Sequence, residues 1–178
     1  FQNLVQSYNI YKNNSIGNRA QVIASNTGNY SVSIGAGNQA SGDYSLALGL
    51  GTVSSGVASF TEGDGTTASG NGSHAEGGYN VASGIYSHAE GDPTTASGYA
   101  SHSEGINTIA AGSASHSEGA SNQTLSNYSH TEGLENIATS SSDYSHIEGS
   151  KNISYSQCTH IEGFNNKIET GCEYSHSQ

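Results

Sequence analysis

A motif of the form Ser-x-x-x-Gly recurs along almost the whole chain at a nearly constant period. The first seven steps share a 14-residue period, and two of the last three steps are longer by two positions. Self-similarity at a fixed short period indicates stacked structural units that bury a common core. The first residue of the motif falls at Ser31, Ser45, Ser59, Ser73, Ser87, Ser101, Ser115, Ser129, Ser145, Thr159 and Ser175.

A second short segment follows within each period, for example "QASG" at 39–42 and "TASG" at 67–70. Helical solenoids need repeats of about 33 residues or more, so a 14-residue unit with two glycines excludes them. Two strands of four or five residues, each closed by a glycine that tolerates positive φ, make one coil of a β-solenoid. We therefore predict an all-β fold of parallel strands over 29–178, preceded by an irregular cap over 1–28.

Composition supports one continuous repetitive domain. Only 32% of the 178 residues are hydrophobic, and there is no Trp or Met to fill a conventional core.

The net charge of −11 opposes binding to phosphate backbones, so nucleic acid is excluded as a partner. No apolar run approaches the roughly 20 residues that span a bilayer, so membrane insertion is not expected. Because the chain begins at Phe1 and stops in mid-motif at Gln178, we expect it to be a piece of a longer protein.

The "SHAEG" form of the motif places two ionisable side chains on one strand face. Because side chains alternate along a strand, Tyr86, His88 and Glu90 are predicted to share a face, opposite Ser87. In the first repeats the same His and Glu columns are aliphatic. We therefore expect this face to pack against other chains along its whole length. In the later repeats, hydrogen-bonded His and Glu side chains would replace the aliphatic side chains in that contact. The alternative is a solvated stripe of opposite charges.

The predicted structural ladder consists of seven His and seven Glu at equivalent positions. Its members are His74, Glu76, His88, Glu90, His102, Glu104, His116, Glu118, His130, Glu132, His146, Glu148, His160 and Glu162.

His-x-Glu also supplies two metal ligands on one face, and three chains could gather six such groups. Eight copies favour a structural role, so no metal and no cofactor is predicted. The alternative ligands are His74, His88, His102, His116, His130, His146, His160 and His176.

No catalytic site is predicted. A Ser-His-acid triad needs its members in one hydrogen-bonded line, whereas strand alternation turns Ser87 away from His88. A glycosidase needs two carboxyl groups in different environments, whereas the ladder Glu residues are equivalent. Tyr79 and Tyr99 are predicted to lie in turns and are candidates for stacking on sugars. Cys158 and Cys172 are either two packed thiols or one bridge between neighbouring repeats.

The segments "YSVSIG" (30–35) and "YSLALG" (44–49) resemble the YadA-like head repeat of trimeric autotransporter adhesins. The "SHAEG…TASG" version is similar to a repeat of bacteriophage tail-fibre and neck-appendage proteins. The resemblance implies a left-handed parallel β-roll, a homotrimer, and attachment of a bacterium or virion to a surface. His and Glu replace the aliphatic pair of the adhesin motif, which favours the phage version.

We therefore predict a non-enzymatic structural or attachment segment of a trimeric phage tail fibre, spike or appendage, located in the virion. Its expected partner besides itself is a host cell-surface receptor, either a polysaccharide or a protein. One alternative is a bacterial trimeric adhesin head on the cell surface that binds host matrix. A further alternative is a tailspike that depolymerises glycans.

Overall fold

The computed structural model describes residues 27–178, which form a β-solenoid. This part of the chain contains 21 short strands and no helix. Successive strands alternate between two sheets, in which every neighbouring pair is parallel, so two strands complete one coil. The predicted all-β solenoid is confirmed. The predicted cap over 1–28 lies outside the described residues except for its last two positions, and the left-handed sense of the roll stays a prediction.

The first sheet has 11 strands in the order in which the chain makes them. Its neighbouring strands pair residues one motif apart, such as Val32 with Leu46 and His102 with His116. The strands are β1 (Val32–Ala36), β3 (Leu46–Leu50), β5 (Phe60–Thr61), β7 (His74–Gly77), β9 (His88–Gly91), β11 (His102–Gly105), β13 (His116–Ser117), β15 (His130–Thr131), β17 (His146–Ile147), β19 (His160–Ile161) and β21 (His176–Ser177).

The second sheet has ten strands of two residues each, and six strands of the first sheet are equally short, so the predicted length of four or five residues is wrong for most strands. The N–H groups of Ser41 and Gly42 both donate hydrogen bonds to the carbonyl of Ser54. The regular strand pairing ends at this shared acceptor. The strands are β2 (Gln39–Ala40), β4 (Val53–Ser54), β6 (Thr67–Ala68), β8 (Val81–Ala82), β10 (Thr95–Ala96), β12 (Ile109–Ala110), β14 (Gln123–Thr124), β16 (Ile137–Ala138), β18 (Ile153–Ser154) and β20 (Lys167–Ile168).

The core between the two sheets consists mainly of small side chains, and Ile147, Ile161 and Ile168 pack together in its C-terminal part. Ala68, Ala75, Ala82, Ala89 and Ala96 are fully buried and pack together across successive coils. Alanine, serine and threonine fill most of the same columns elsewhere, because two sheets joined by such short turns leave little room. This explains how a chain with so few large hydrophobic residues forms an ordered interior.

Glycine closes the first-sheet strands because the coils approach one another too closely there for a side chain. Gly91 has a φ of 117°, and a Cβ atom on it would lie 1.9 Å from the carbonyl oxygen of Gly105. The same contact recurs along this column, where each glycine lies against the glycine of the next coil. Main-chain packing therefore sets the spacing between coils.

The first of the two longer repeats keeps the register of both sheets, and the second keeps that of the first sheet, where His160 pairs with His176. His130 pairs with His146, and Ile137 pairs with Ile153, although the chain between them has two more positions than in the other coils. The extra residues enlarge the turn at 140–143, in which the N–H of Ser142 donates to the carbonyl of Thr139. The added length therefore changes a turn and not the fold.

Candidate functional site

The outer surface of the first sheet carries two columns of large side chains, which we call the His/Glu face. The His column stacks its rings from coil to coil, with centroids 4.6 to 5.2 Å apart and interplanar angles of at most 14° between His74 and His160. Phe60 continues the stack, since its ring lies 4.6 Å from that of His74. The column reads Val32, Leu46, Phe60, His74, His88, His102, His116, His130, His146, His160 and His176.

The Glu column lies beside the His column, and its carboxylates reach between the imidazoles. Glu76 Oε1 lies 3.3 Å from His88 Nε2, and Glu104 Oε1 lies 3.6 Å from His116 Nε2. Both kinds of side chain are about one third exposed in the single chain, so the face is neither buried nor fully solvated. The column reads Ile34, Leu48, Glu62, Glu76, Glu90, Glu104, Glu118, Glu132, Glu148, Glu162 and Gln178.

A buried column of Asn and Thr side chains supports the Glu column from inside. The amide of Asn136 donates to the carbonyls of Glu132 and Gly149 at 2.6 and 2.9 Å, and its Oδ1 accepts from the N–H of Asn152 at 2.9 Å. Sequence reasoning missed this column. The sequence contains a signal for this column, because Asn or Thr comes directly before every second-sheet strand. These residues are Asn38, Thr52, Thr66, Asn80, Thr94, Thr108, Asn122, Asn136, Asn152 and Asn166.

Stacking of like groups changes the protonation of the His/Glu face. Burial lowers the pKa of His102 below 6.5, and repulsion from the neighbouring His116 and His88 adds to the effect. Burial is also the main cause that lowers the pKa of His74 and His130. These imidazoles are therefore neutral at pH 7.

Neighbouring carboxyl groups share protons along the Glu column. A hydrogen bond with Glu104 is the largest cause that raises the pKa of Glu90, and likewise that of Glu118, to about 7. The same hydrogen bonds lower the pKa of Glu104. At pH 7 Glu90 and Glu118 are therefore protonated part of the time on either side of an ionised Glu104, which reduces the repulsion between stacked glutamates.

We expect the double variant Glu90→Gln/Glu118→Gln to raise the melting temperature by a few degrees at pH 8. The raised pKa of both acids means that the folded state retains protons that the unfolded state has lost, so their ionisation destabilises the fold as pH rises from about 4.5 to 7. Glutamine mimics the protonated acid at every pH, as Gln178 does in the same column. Circular-dichroism melts in EDTA check this result.

The same melts at pH 4.5 provide the control. There both acids are protonated in the wild-type chain, so the gain from glutamine should be much smaller than at pH 8. An equal gain at both pH values would contradict proton sharing along the Glu column.

The Tyr column borders the His/Glu face from the preceding turn. These tyrosines are exposed on the outside of the coil, but they lie in the turn rather than in the strand and adopt positive φ values of 54 to 62°. Their rings nevertheless stack, as in the Tyr128–Tyr144 pair at 5.2 Å, and line a groove with the His column. The column contains Tyr30, Tyr44, Tyr86, Tyr128, Tyr144 and Tyr174.

The other residues predicted from the sequence are placed as follows. Ser87 lies inside the coil and donates to the carbonyl of Gly84, so it is turned away from His88 as predicted. Tyr79 and Tyr99 lie in bends or turns and are more than half exposed.

The thiols of Cys158 and Cys172 are both free. Within residues 27–178 there is no helix whose length and apolar character would let it span a membrane.

Two segments of the chain, residues 27–52 and 89–115, match the YadA head domain repeat. The first matched YadA head segment has the aliphatic face of β1 and β3, and the second has the His/Glu face of β9 and β11. One repeat therefore accommodates both versions of the outer face. No curated protein matches the chain. The YadA head repeat supports an adhesin-like attachment domain exposed at a surface.

Proposed function

We propose that the chain is a rod-like segment of a homotrimeric phage attachment fibre, spike or appendage, which supports or contributes to binding of a host receptor. The observation that carries this proposal is the exposed apolar beginning of the His/Glu face. Val32 and Ile34 are 44% and 39% exposed, and they stack in register on Leu46 and Leu48. A continuous apolar stripe of this kind is typical of a surface that packs against other chains.

The protonation states of the His and Glu side chains favour burial of the His/Glu face in the same interface between chains. Neutral imidazoles and shared carboxyl protons leave far less charge to desolvate than fully ionised columns would. Since closed homo-oligomers repeat the same contacts in every chain, the aliphatic and polar parts of the face would lie along one common axis. The ladder would then fix the register between chains.

The solenoid is well suited to a mechanical role. Its two parallel ladders run through all described coils, so main-chain hydrogen bonds connect every coil to the next. Each chain would hold a receptor-binding tip at a fixed distance from the virion.

We expect the purified chain to have three times its 18.2 kDa mass in sedimentation equilibrium, and the variant Leu46→Lys/Leu48→Lys to be monomeric. Two lysines would place unpaired charges in an apolar contact, at a cost of several kcal/mol. A monomeric wild-type chain would overturn the trimer proposal.

Val53→Lys is the matched control for this experiment. Val53 lies on the outer side of the second sheet, in a column that ends naturally in an exposed lysine at Lys167. This variant should keep the trimeric mass. Loss of the trimer in the control alone would assign the contact to the second sheet instead.

The alternative of a bacterial adhesin head is favoured by the match of residues 27–52 to the YadA head repeat. In that case the rod itself would bind host matrix. Binding of the isolated chain to immobilised matrix proteins, reduced by Tyr79→Ser and Tyr99→Ser, would support this alternative. Release of soluble sugar from host polysaccharide would instead support a depolymerising tailspike.

A further inference from the structure

The central carboxylates of the His/Glu face each lie between two imidazoles from successive coils. Glu104 places Oε2 4.0 Å from His102 Nε2 and Oε1 3.6 Å from His116 Nε2. Glu118 repeats the arrangement, with Oε2 3.7 Å from His116 Nε2 and Oε1 3.8 Å from His130 Nε2. Each His–Glu–His group thus presents two nitrogens and a carboxylate to one small space.

The spacing of these atoms fits a transition-metal ion. Zn²⁺ binds imidazole nitrogen and carboxylate oxygen at about 2.0 to 2.2 Å, which puts two ligands of a tetrahedral ion about 3.3 to 3.5 Å apart. The His–Glu distances exceed that value by a few tenths of an ångström, within reach of side-chain rotation. The three ligand atoms of each group lie within 4.8 Å of one another.

A second observation points the same way. The Nε2 atoms of His102, His116 and His130 are inaccessible to solvent and have no hydrogen-bond partner, although they face the carboxylates. A buried polar atom without a partner is costly, and a bound cation would satisfy it.

We propose that the His/Glu face binds Zn²⁺ or a similar divalent transition ion, with each ion held by a His, the Glu two residues later, and the His of the next coil. Imidazole with carboxylate selects such ions over Mg²⁺ and Ca²⁺, which prefer oxygen ligands alone. Each ion would cross-link two coils, so its binding would stabilise the solenoid. The inference rests on contacts within one chain and does not require the trimer.

Neighbouring groups share imidazoles, which limits how many ions bind. His88 belongs to two groups and His116 to two others, and one Nε2 can ligate only one ion. Alternate groups would therefore fill first. Among the groups that could hold an ion, four have this composition: His74–Glu76–His88, His88–Glu90–His102, His102–Glu104–His116 and His116–Glu118–His130; a further one, Glu132–His146–Glu148, has one imidazole and two carboxyl groups.

Isothermal titration of the EDTA-treated, desalted chain with ZnCl₂ at pH 7.5 tests the proposal. We expect saturable binding of at least two ions per chain, a higher melting temperature with Zn²⁺, and no comparable binding of Mg²⁺. Co²⁺ should give the intense visible absorption of a tetrahedral site with nitrogen ligands. Absence of saturable Zn²⁺ binding, or a Co²⁺ spectrum of hydrated ion only, would overturn it.

The triple variant His88→Phe/His116→Phe/His146→Phe is the matched test. It removes an imidazole from each of the five groups but keeps the ring stack, as Phe60 does against His74. Its melting temperature in EDTA should stay close to that of the wild type, while Zn²⁺ affinity falls at least tenfold and the Zn²⁺-dependent stabilisation disappears. Unchanged Zn²⁺ affinity would overturn the site, whereas the mass of the particle reports separately on the trimer.

Discussion

Gly91→Ala will disrupt the middle of the solenoid, with an expected loss of at least about 4 kcal/mol in the free energy of unfolding. The new Cβ atom would lie 1.9 Å from the carbonyl oxygen of Gly105 and 2.9 Å from its nitrogen, so the two coils would have to separate. Separation would break the pairing of β9 with β11 along four residues. Urea unfolding followed by circular dichroism would measure the loss.

Gly51→Ala is the control that distinguishes the steric clash at Gly91 from the backbone strain of a positive φ. Gly51 also has a positive φ, 65°, but no atom lies within 4 Å of the position that its Cβ would take. Its replacement should cost only about 1 to 2 kcal/mol, the penalty of a left-handed conformation for alanine. Equal losses in the two variants would contradict the conclusion that main-chain contact sets the coil spacing.

Asn136→Ala should lower the free energy of unfolding by about 2 to 4 kcal/mol. The change removes both amide donors from the carbonyls of Glu132 and Gly149, and it leaves the buried N–H of Asn152 without its acceptor. It also leaves a cavity in the closely packed interior. Urea unfolding of the full chain would measure this effect.

Asn136→Thr provides the comparison that the chain itself suggests. Thr94 and Thr108 occupy the same column and donate to the carbonyls of Glu90 and Glu104. Threonine at 136 should therefore keep one of the three hydrogen bonds and lose clearly less stability than alanine. If alanine and threonine were equally destabilising, the hydrogen bonds of this column would not be the source of its contribution.

The period of the sequence was sufficient to predict the coil, the pairing register and the inward or outward direction of the strand residues. His102, for example, pairs with His116 because one period of the motif makes one turn of backbone. Such predictions succeed because the period determines which residues stack, independently of side-chain detail. The two extra positions before Ser145 lie in the turn at 140–143, since only a turn can absorb them without shifting both sheets.

The local geometry could not be derived in this way. Where the earlier second-sheet strands end, two N–H groups share one carbonyl, as at Ser41 and Gly42, and no residue pattern predicts this. The tyrosines before the strands adopt left-handed φ values that strand alternation does not anticipate. The Asn136 column was visible as a repeated letter, but its bonds to the backbone behind the Glu column depend on three-dimensional contact.

Because glycine stacks closely on glycine from coil to coil, the number of coils can change during evolution without disrupting the fold. Since every coil meets its neighbours through the same backbone atoms, duplication or loss of one repeat in the gene changes the length by about 4.8 Å and creates no new kind of contact. Recombination between near-identical repeats can thus adjust the reach of the molecule in small, equal increments.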